Sequence, residues 1–336
     1  MNFDEVSRIL QRYQRAKAKL NEFAVSDAER NSNRLGQTSS DELLFSTVRV
    51  LSQFSETYCA GQNIAELYND LTFVAQFYEN YAEGEDVSDD YFFLLAGAVA
   101  NVLSDNFGNA KSLIGKIDRQ KNFHPIACLI FEYISYGLGV YYESTFIDEQ
   151  LFNDFYKPLI ADIRHDSESV FLPNLLSFAK YLLNTNDHEA AFFGSMLCAV
   201  HKKFIENSAV RNIPQSSDSK LSDWDNYFKQ PRALRILWQA QKLLLSNDVL
   251  RGKSATIQLP TGVGKTRSIE LIISAAFLLR GVSLAIVVAP LRALCNEIEK
   301  DLHRSLRNIV EITALSDPSA SLNTNPAHII CSRITR

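Results

Sequence analysis

Gly262, Gly264, Lys265 and Thr266 fall within five residues at the end of the run "IQLPTGVGKT". Two glycines allow the backbone to bend so that successive N–H groups face one point, an arrangement that suits phosphate oxygens. A lysine beside them supplies charge for β and γ phosphates, and a threonine hydroxyl supplies a ligand for Mg²⁺. The chemistry implied is binding and hydrolysis of a nucleoside triphosphate, with ATP and Mg²⁺ as cofactors. Lys265 and Thr266 are the expected catalytic pair, Thr266 also being the Mg²⁺ ligand. Thr261, Gly262, Val263, Gly264, Lys265, Thr266 and Arg267 form the expected nucleotide-binding set. Leu259 stands where the usual pattern has Gly or Ala.

Such a loop works only between a strand that delivers it and a helix whose N-terminal dipole faces the phosphate. The β-branched apolar segment "SATIQL" predicts the strand, and "KTRSIELIISAAFLLRG" predicts the helix. A second strand at "SLAIVVAP", a helix at "LRALCNEIEKDLHRSL" and weaker strands at "IVEIT" and "HIIC" follow. Strands alternating with helices predict a parallel sheet of right-handed crossovers over residues 229–336. Residues 1–212 carry apolar residues three and four apart, as at Leu44, Val48, Leu51 and Phe54, and predict helices throughout. Two helical hairpins are expected at "AGAVANVLSDNFGNAKSLIGKI" and "LSFAKYLLNTNDHEAAFFGSML", but no 34-residue period emerges, so the region is an irregular helical domain. Its many Phe and Tyr residues at helical spacing are core fillers. Pro, Ser and Asp in "NIPQSSDSKLSDWDNY" predict a linker at 213–228. The fold class is α plus α/β.

The flanks of the loop narrow the reading. "LPTGVGKT" resembles the first motif of superfamily 2 helicases, and "VVAPLRALCNEI" resembles the form of motif Ia found in the Ski-like branch of DExH helicases. "VEITALSD" and "HIICSRITR" stand where that branch has a short strand and motif Ib, with Ser332 and Arg333 in place of Thr-Pro. "LWQAQ" resembles the helix whose glutamine reads adenine, here Gln241. The resemblance covers residues 229–336 and implies the first part of a RecA-like motor domain, an ATP-dependent helicase or translocase, and a partner of DNA or RNA in single-stranded form. It carries Pro290, Leu291, Arg292, Ser332 and Arg333 over as nucleic-acid contacts. No apolar strand after the loop ends in Asp-Glu, so the chain is expected to be the N-terminal piece of a longer polypeptide, without a complete hydrolysis site of its own. Helical domains ahead of such motors occur in bacterial anti-phage systems such as Hachiman, whose helicase works with a nuclease. That resemblance implies a protein partner, a nuclease subunit, on the helical domain and a role in antiviral defence.

Charge divides the chain in the same place. Residues 229–336 carry 15 Lys and Arg against 7 Asp and Glu, while the preceding residues carry 19 against 32. A basic segment favours a polyanion, because phosphates neutralised by cations release their counterions. At 336 residues and 46% hydrophobic, the chain is not a disordered protein. Five scattered cysteines with no CxxC spacing predict free thiols, no structural zinc and a reducing compartment. The charged start "MNFDEVSRILQRYQRAK" is not a secretory signal, and the most apolar stretch, 125–142, contains Glu132. No membrane partner and a cytoplasmic location are expected. A second functional class stays open: a nucleotide-gated interaction module that moves no strand. Salt-sensitive binding of single strands separates the two.

Overall fold

The computed structural model describes residues 40–82, 91–119, 123–140, 147–166, 168–259, 263–306, 309–314 and 328–333. Helices α1 (Ser40–Cys59), α2 (Ala65–Ala82), α3 (Tyr91–Leu103), α4 (Phe107–Lys116) and α5 (Pro125–Gly137) come first. After a turn at Glu149–Leu151 and a π-helical turn at Phe152–Tyr156 come α6 (Lys157–Arg164), α7 (Leu172–Leu182), α8 (His188–Glu206) and α9 (Ala209–Ser216). Then follow α10 (Gln239–Ser246), α11 (Lys265–Arg280), β1 (Leu284–Ala289), α12 (Arg292–Leu306), β2 (Glu311–Ala314) and β3 (His328–Arg333). Among the described residues no helix is long and apolar enough to cross a membrane.

Two compact units divide the chain. The first gathers the described residues of 1–131, 146–148 and 172–203; the second those of 132–145, 149–171 and 204–336. In the first, both expected hairpins form. Gly97 lets α3 approach α2, since a Cβ there would stand 2.9 Å from that of Tyr78. The turn after α3 bends at Asp105, φ 65°, whose carboxylate pairs with Lys203 at 2.7 Å. The second hairpin closes in the same manner, a Cβ at Gly194 falling 2.6 Å from Leu182 Cδ1. Asp187 accepts the Ala190 N–H at 2.8 Å and so caps the start of α8. Burial pushes the Cys59 thiol up to about 12, which leaves it protonated and unreactive at neutral pH.

The second unit corrects two expectations. The residues expected to be a linker, 213–228, are folded: α9 runs to Ser216, a 3₁₀ turn spans Leu221–Trp224 and a helical turn spans Asp225–Phe228. Trp224 and Tyr227 are fully buried, with the Trp224 indole N–H donating to Ser219 Oγ at 2.9 Å. Pro, Ser and Asp report turns, and here the turns carry two aromatic anchors into a core. The compact units therefore do not divide at residue 212, because 132–145, 149–171 and 204–212 join the sheet-bearing unit.

The sheet has three parallel strands in the order β1-β3-β2. Helix α12 covers one face with Cys295, Ile298, Leu302 and Leu306, buried at three- and four-residue spacing. These share one core with Ile312 of β2, Ile329 of β3 and Leu271, Ile273 and Ala275 of α11. Ala285 and Val287 pack against the same core, while Leu284, Ile286 and Val288 alternate with them and stand exposed. The strand expected at 254–259 does not form; the segment is irregular, exposed as far as Gln258 and half-buried at Leu259. A β-branched apolar run becomes a strand only when a neighbouring edge takes its hydrogen bonds, and no described strand pairs with it.

Candidate functional site

Helix α11 begins at Lys265 because Gly264 can hold φ 88°, a left-handed conformation that a side chain would strain. Space enforces the same choice, since a Cβ on Gly264 would stand 3.0 Å from Gln241 Nε2. No side chain caps this helix start, so its first N–H groups keep their hydrogen-bonding capacity and the positive end of the dipole lies open. Lys265 is exposed and makes no ion pair among the described residues; Val263 and Thr266 are half-buried beside it. A left-handed glycine, an uncapped helix start and an exposed lysine fit a nucleoside triphosphate. Thr266, next in the helix, fits as the holder of its Mg²⁺. Among the described residues there is no group of three or more His, Cys, Asp or Glu that could hold a metal by itself. Thr261 and Gly262 lie outside the described residues.

Gln241 is buried at the third position of α10 and faces the loop. Its Oε1 accepts the Trp238 N–H at 2.9 Å, and its Nε2 donates to Gly264 O and Ser268 Oγ, each at 3.1 Å. The side chain therefore ties the start of α10 to the start of α11. Sequence reasoning missed Ser268 and Trp238 in this tie. The legible signal was a glutamine three residues after Trp238, the spacing at which a side chain returns to the backbone of the residue before a helix.

Arg267 is committed within its own helix, Nη1 donating to Glu270 Oε2 at 2.7 Å and Oε1 at 3.1 Å. Glu270 is buried; burial pushes its carboxyl up, against the pull of Arg267 and the hydrogen bonds from Arg267 and Ser305. A carboxyl raised in this way binds more protons folded than unfolded, so its contribution to stability falls as pH rises above the ordinary carboxylate range. Glu270→Gln is expected to raise the thermal midpoint at neutral pH by about 2 °C, and the gain to vanish near pH 4. Melting curves of parent and variant across that range check it.

The residues expected to touch nucleic acid meet at one end of the sheet. Pro290 and Leu291 form the turn between β1 and α12, and Arg292 is the first residue of α12. Ser332 and Arg333 end β3, in register with Val288 and Ala289, the two residues before that turn. Only Gly281–Ser283 join α11 to β1, and both elements pack into one core. The carboxyl ends of parallel strands are where α/β sheets bind ligands.

No curated protein matches the chain. A family model described as DEAD/DEAH box helicase matches residues 239–331, which supports a helicase superfamily for this stretch and, with it, an ATP-dependent helicase-type function that implies nucleic-acid binding.

Proposed function

We propose that the chain is an ATP-dependent helicase or translocase of the Ski-like DExH branch, which grips single-stranded DNA or RNA at the carboxyl ends of its parallel strands. In this reading the stretch 239–331 is part of a RecA-like motor domain. The observation that most supports it is the meeting of Pro290, Leu291 and Arg292 with Ser332 and Arg333 at one end of the sheet. Lys265 would bind the β and γ phosphates, and Mg²⁺ held by Thr266 would screen their charge. Gln241 would set the loop's position through Gly264. The acidic helical region ahead of the motor is poorly suited to a polyanion and supports docking of a protein partner, a nuclease subunit in the anti-phage setting.

The test is titration of a labelled single-stranded oligonucleotide against the full chain at several salt concentrations. Arg292→Ala is expected to weaken binding about three- to tenfold at low salt and to lower the slope of log K against log[salt] by about one phosphate contact. An unchanged slope would remove Arg292 from the interface. Absence of salt-dependent binding by the parent would favour the nucleotide-gated module instead.

A further inference from the structure

Outside the matched residues, the second unit contains a cleft of about 430 Å³ whose lining is rich in cations. Arg164, Lys229 and Arg235 line it against a single acid, Asp225. The two arginines are gathered on one ring. Arg235 Cζ lies 3.9 Å from the centroid of Tyr136 and Arg164 Cζ lies 5.5 Å from it, while Arg164 Nε donates to the Tyr136 hydroxyl at 2.7 Å. Guanidinium groups brought this close repel each other. The ring's negative face and the buried Glu132 nearby offset part of that repulsion. Asp225 already pairs with Lys229 at 3.3 Å, at the exposed rim.

The support beneath these cations is rigid. Arg164 ends α6, where the helix dipole favours a positive charge. Two residues earlier, the buried Asp162 accepts the Ser169 hydroxyl and the N–H groups of Val170 and Phe171. Arg211 donates to the carbonyls of Asp162 and His165, each at 2.9 Å, and so fixes the chain on both sides of Arg164. On the other wall, Arg235 Nη2 donates to Pro231 O at 3.3 Å, and Phe228 packs on the buried Tyr227 at 5.4 Å between centroids. The two arginines are therefore held in place before any ligand arrives, which lowers the cost of binding.

We propose that this cleft binds a phosphorylated nucleoside, either free or as one unit of a strand, with the phosphate on Arg164, Arg235 and Lys229 and the base against Phe228. The volume lies in the range of small-molecule sites and exceeds what a bare phosphate fills. Planar guanidiniums beside an aromatic side chain suit a ligand that combines an anion with a flat ring. None of its lining residues belongs to the glycine loop or to α11.

The experiment uses the full chain carrying Lys265→Ala, so that the glycine loop does not contribute, and two probes: a fluorescent derivative of AMP and a labelled twelve-residue oligothymidylate. Arg164→Ala with Arg235→Ala is expected to weaken at least one probe about tenfold, as loss of two charged phosphate contacts requires. A loss confined to the AMP probe identifies a free nucleotide as ligand; a loss confined to the oligonucleotide identifies a strand. Lys229→Ala changes a side chain at the exposed rim and is expected to give a several-fold loss with the melting curve unchanged, so it decides the matter where the double variant fails to fold. Equal affinity of parent and variants for both probes overturns the proposal, as does failure of the parent to bind either. Because Arg292 is intact in every variant, equal affinity of parent and variants for a probe that the parent binds is distinct from failure of the helicase reading.

Discussion

Lys265→Ala should lower the affinity of the full chain for Mg-ATP by about 10- to 100-fold, the range expected when charge-assisted contacts to phosphate are lost. The residue stands exposed at the first position of α11, and alanine is the best helix former. The fold should therefore survive and the loss should appear in binding alone. Titration with a fluorescent ATP analogue, alongside a melting curve, separates the two. Lys265→Arg should recover only part of the affinity, because a planar fork does not reproduce a compact ammonium between two phosphates. Affinity unchanged in the alanine variant would remove the glycine loop from nucleotide binding altogether.

Trp224→Ala should destabilise the second unit by about 3–5 kcal/mol, the cost of removing a large aromatic from a closed core. Trp224 is fully buried and packs edge-on against Tyr227, with centroids 5.7 Å apart. Trp224→Phe keeps most of the ring but loses the bond to Ser219 Oγ and should cost about 1 kcal/mol from that bond plus a smaller packing term. Urea titrations of both variants measure the difference, with Trp238 left as the fluorescent reporter. If residues 213–228 were a tether between domains, both substitutions would be silent.

Helices were the most legible part of the fold, because their apolar residues recur on one face whatever they pack against. The run from Leu44 to Phe54 announced α1, and "KTRSIELIISAAFLLRG" announced α11 nearly to the residue. The three strands that formed were legible as apolar or β-branched runs at 284–289, 311–314 and 328–333. The segment 254–259 has the same composition and is not a strand, since composition reports an ability to pair and not the presence of a partner. Residues 213–228 misled in the opposite direction. Their Ser and Asp residues outnumber the two aromatics that decide their burial, and the spacing of Trp224 and Tyr227 is too short to show a period. The helix start at Lys265, after a left-handed Gly264, was legible from the motif alone. The tie from Gln241 to Gly264 and Ser268 crosses more than twenty residues of chain, a distance over which local spacing carries no information. Arg267, expected beside the nucleotide, pairs with Glu270 one turn on.

The loop that would cradle phosphate has one firm side and one bare side. Beyond Gly264 lies α11, packed into the core; before it, residues 253–258 are exposed, and 253–259 have no strand partner among the described residues. Holding such residues in one conformation when phosphate binds costs about 1–2 kcal/mol each, so ordering even two of them withdraws tenfold or more from nucleotide affinity. A strand that paired with 254–259 would meet that cost in advance and tighten nucleotide binding without touching the nucleotide. Thermodynamic reciprocity then requires the nucleotide to tighten the strand's binding by the same factor. Titrating ATP would thus count, in units of affinity, how completely this stretch of backbone is paired.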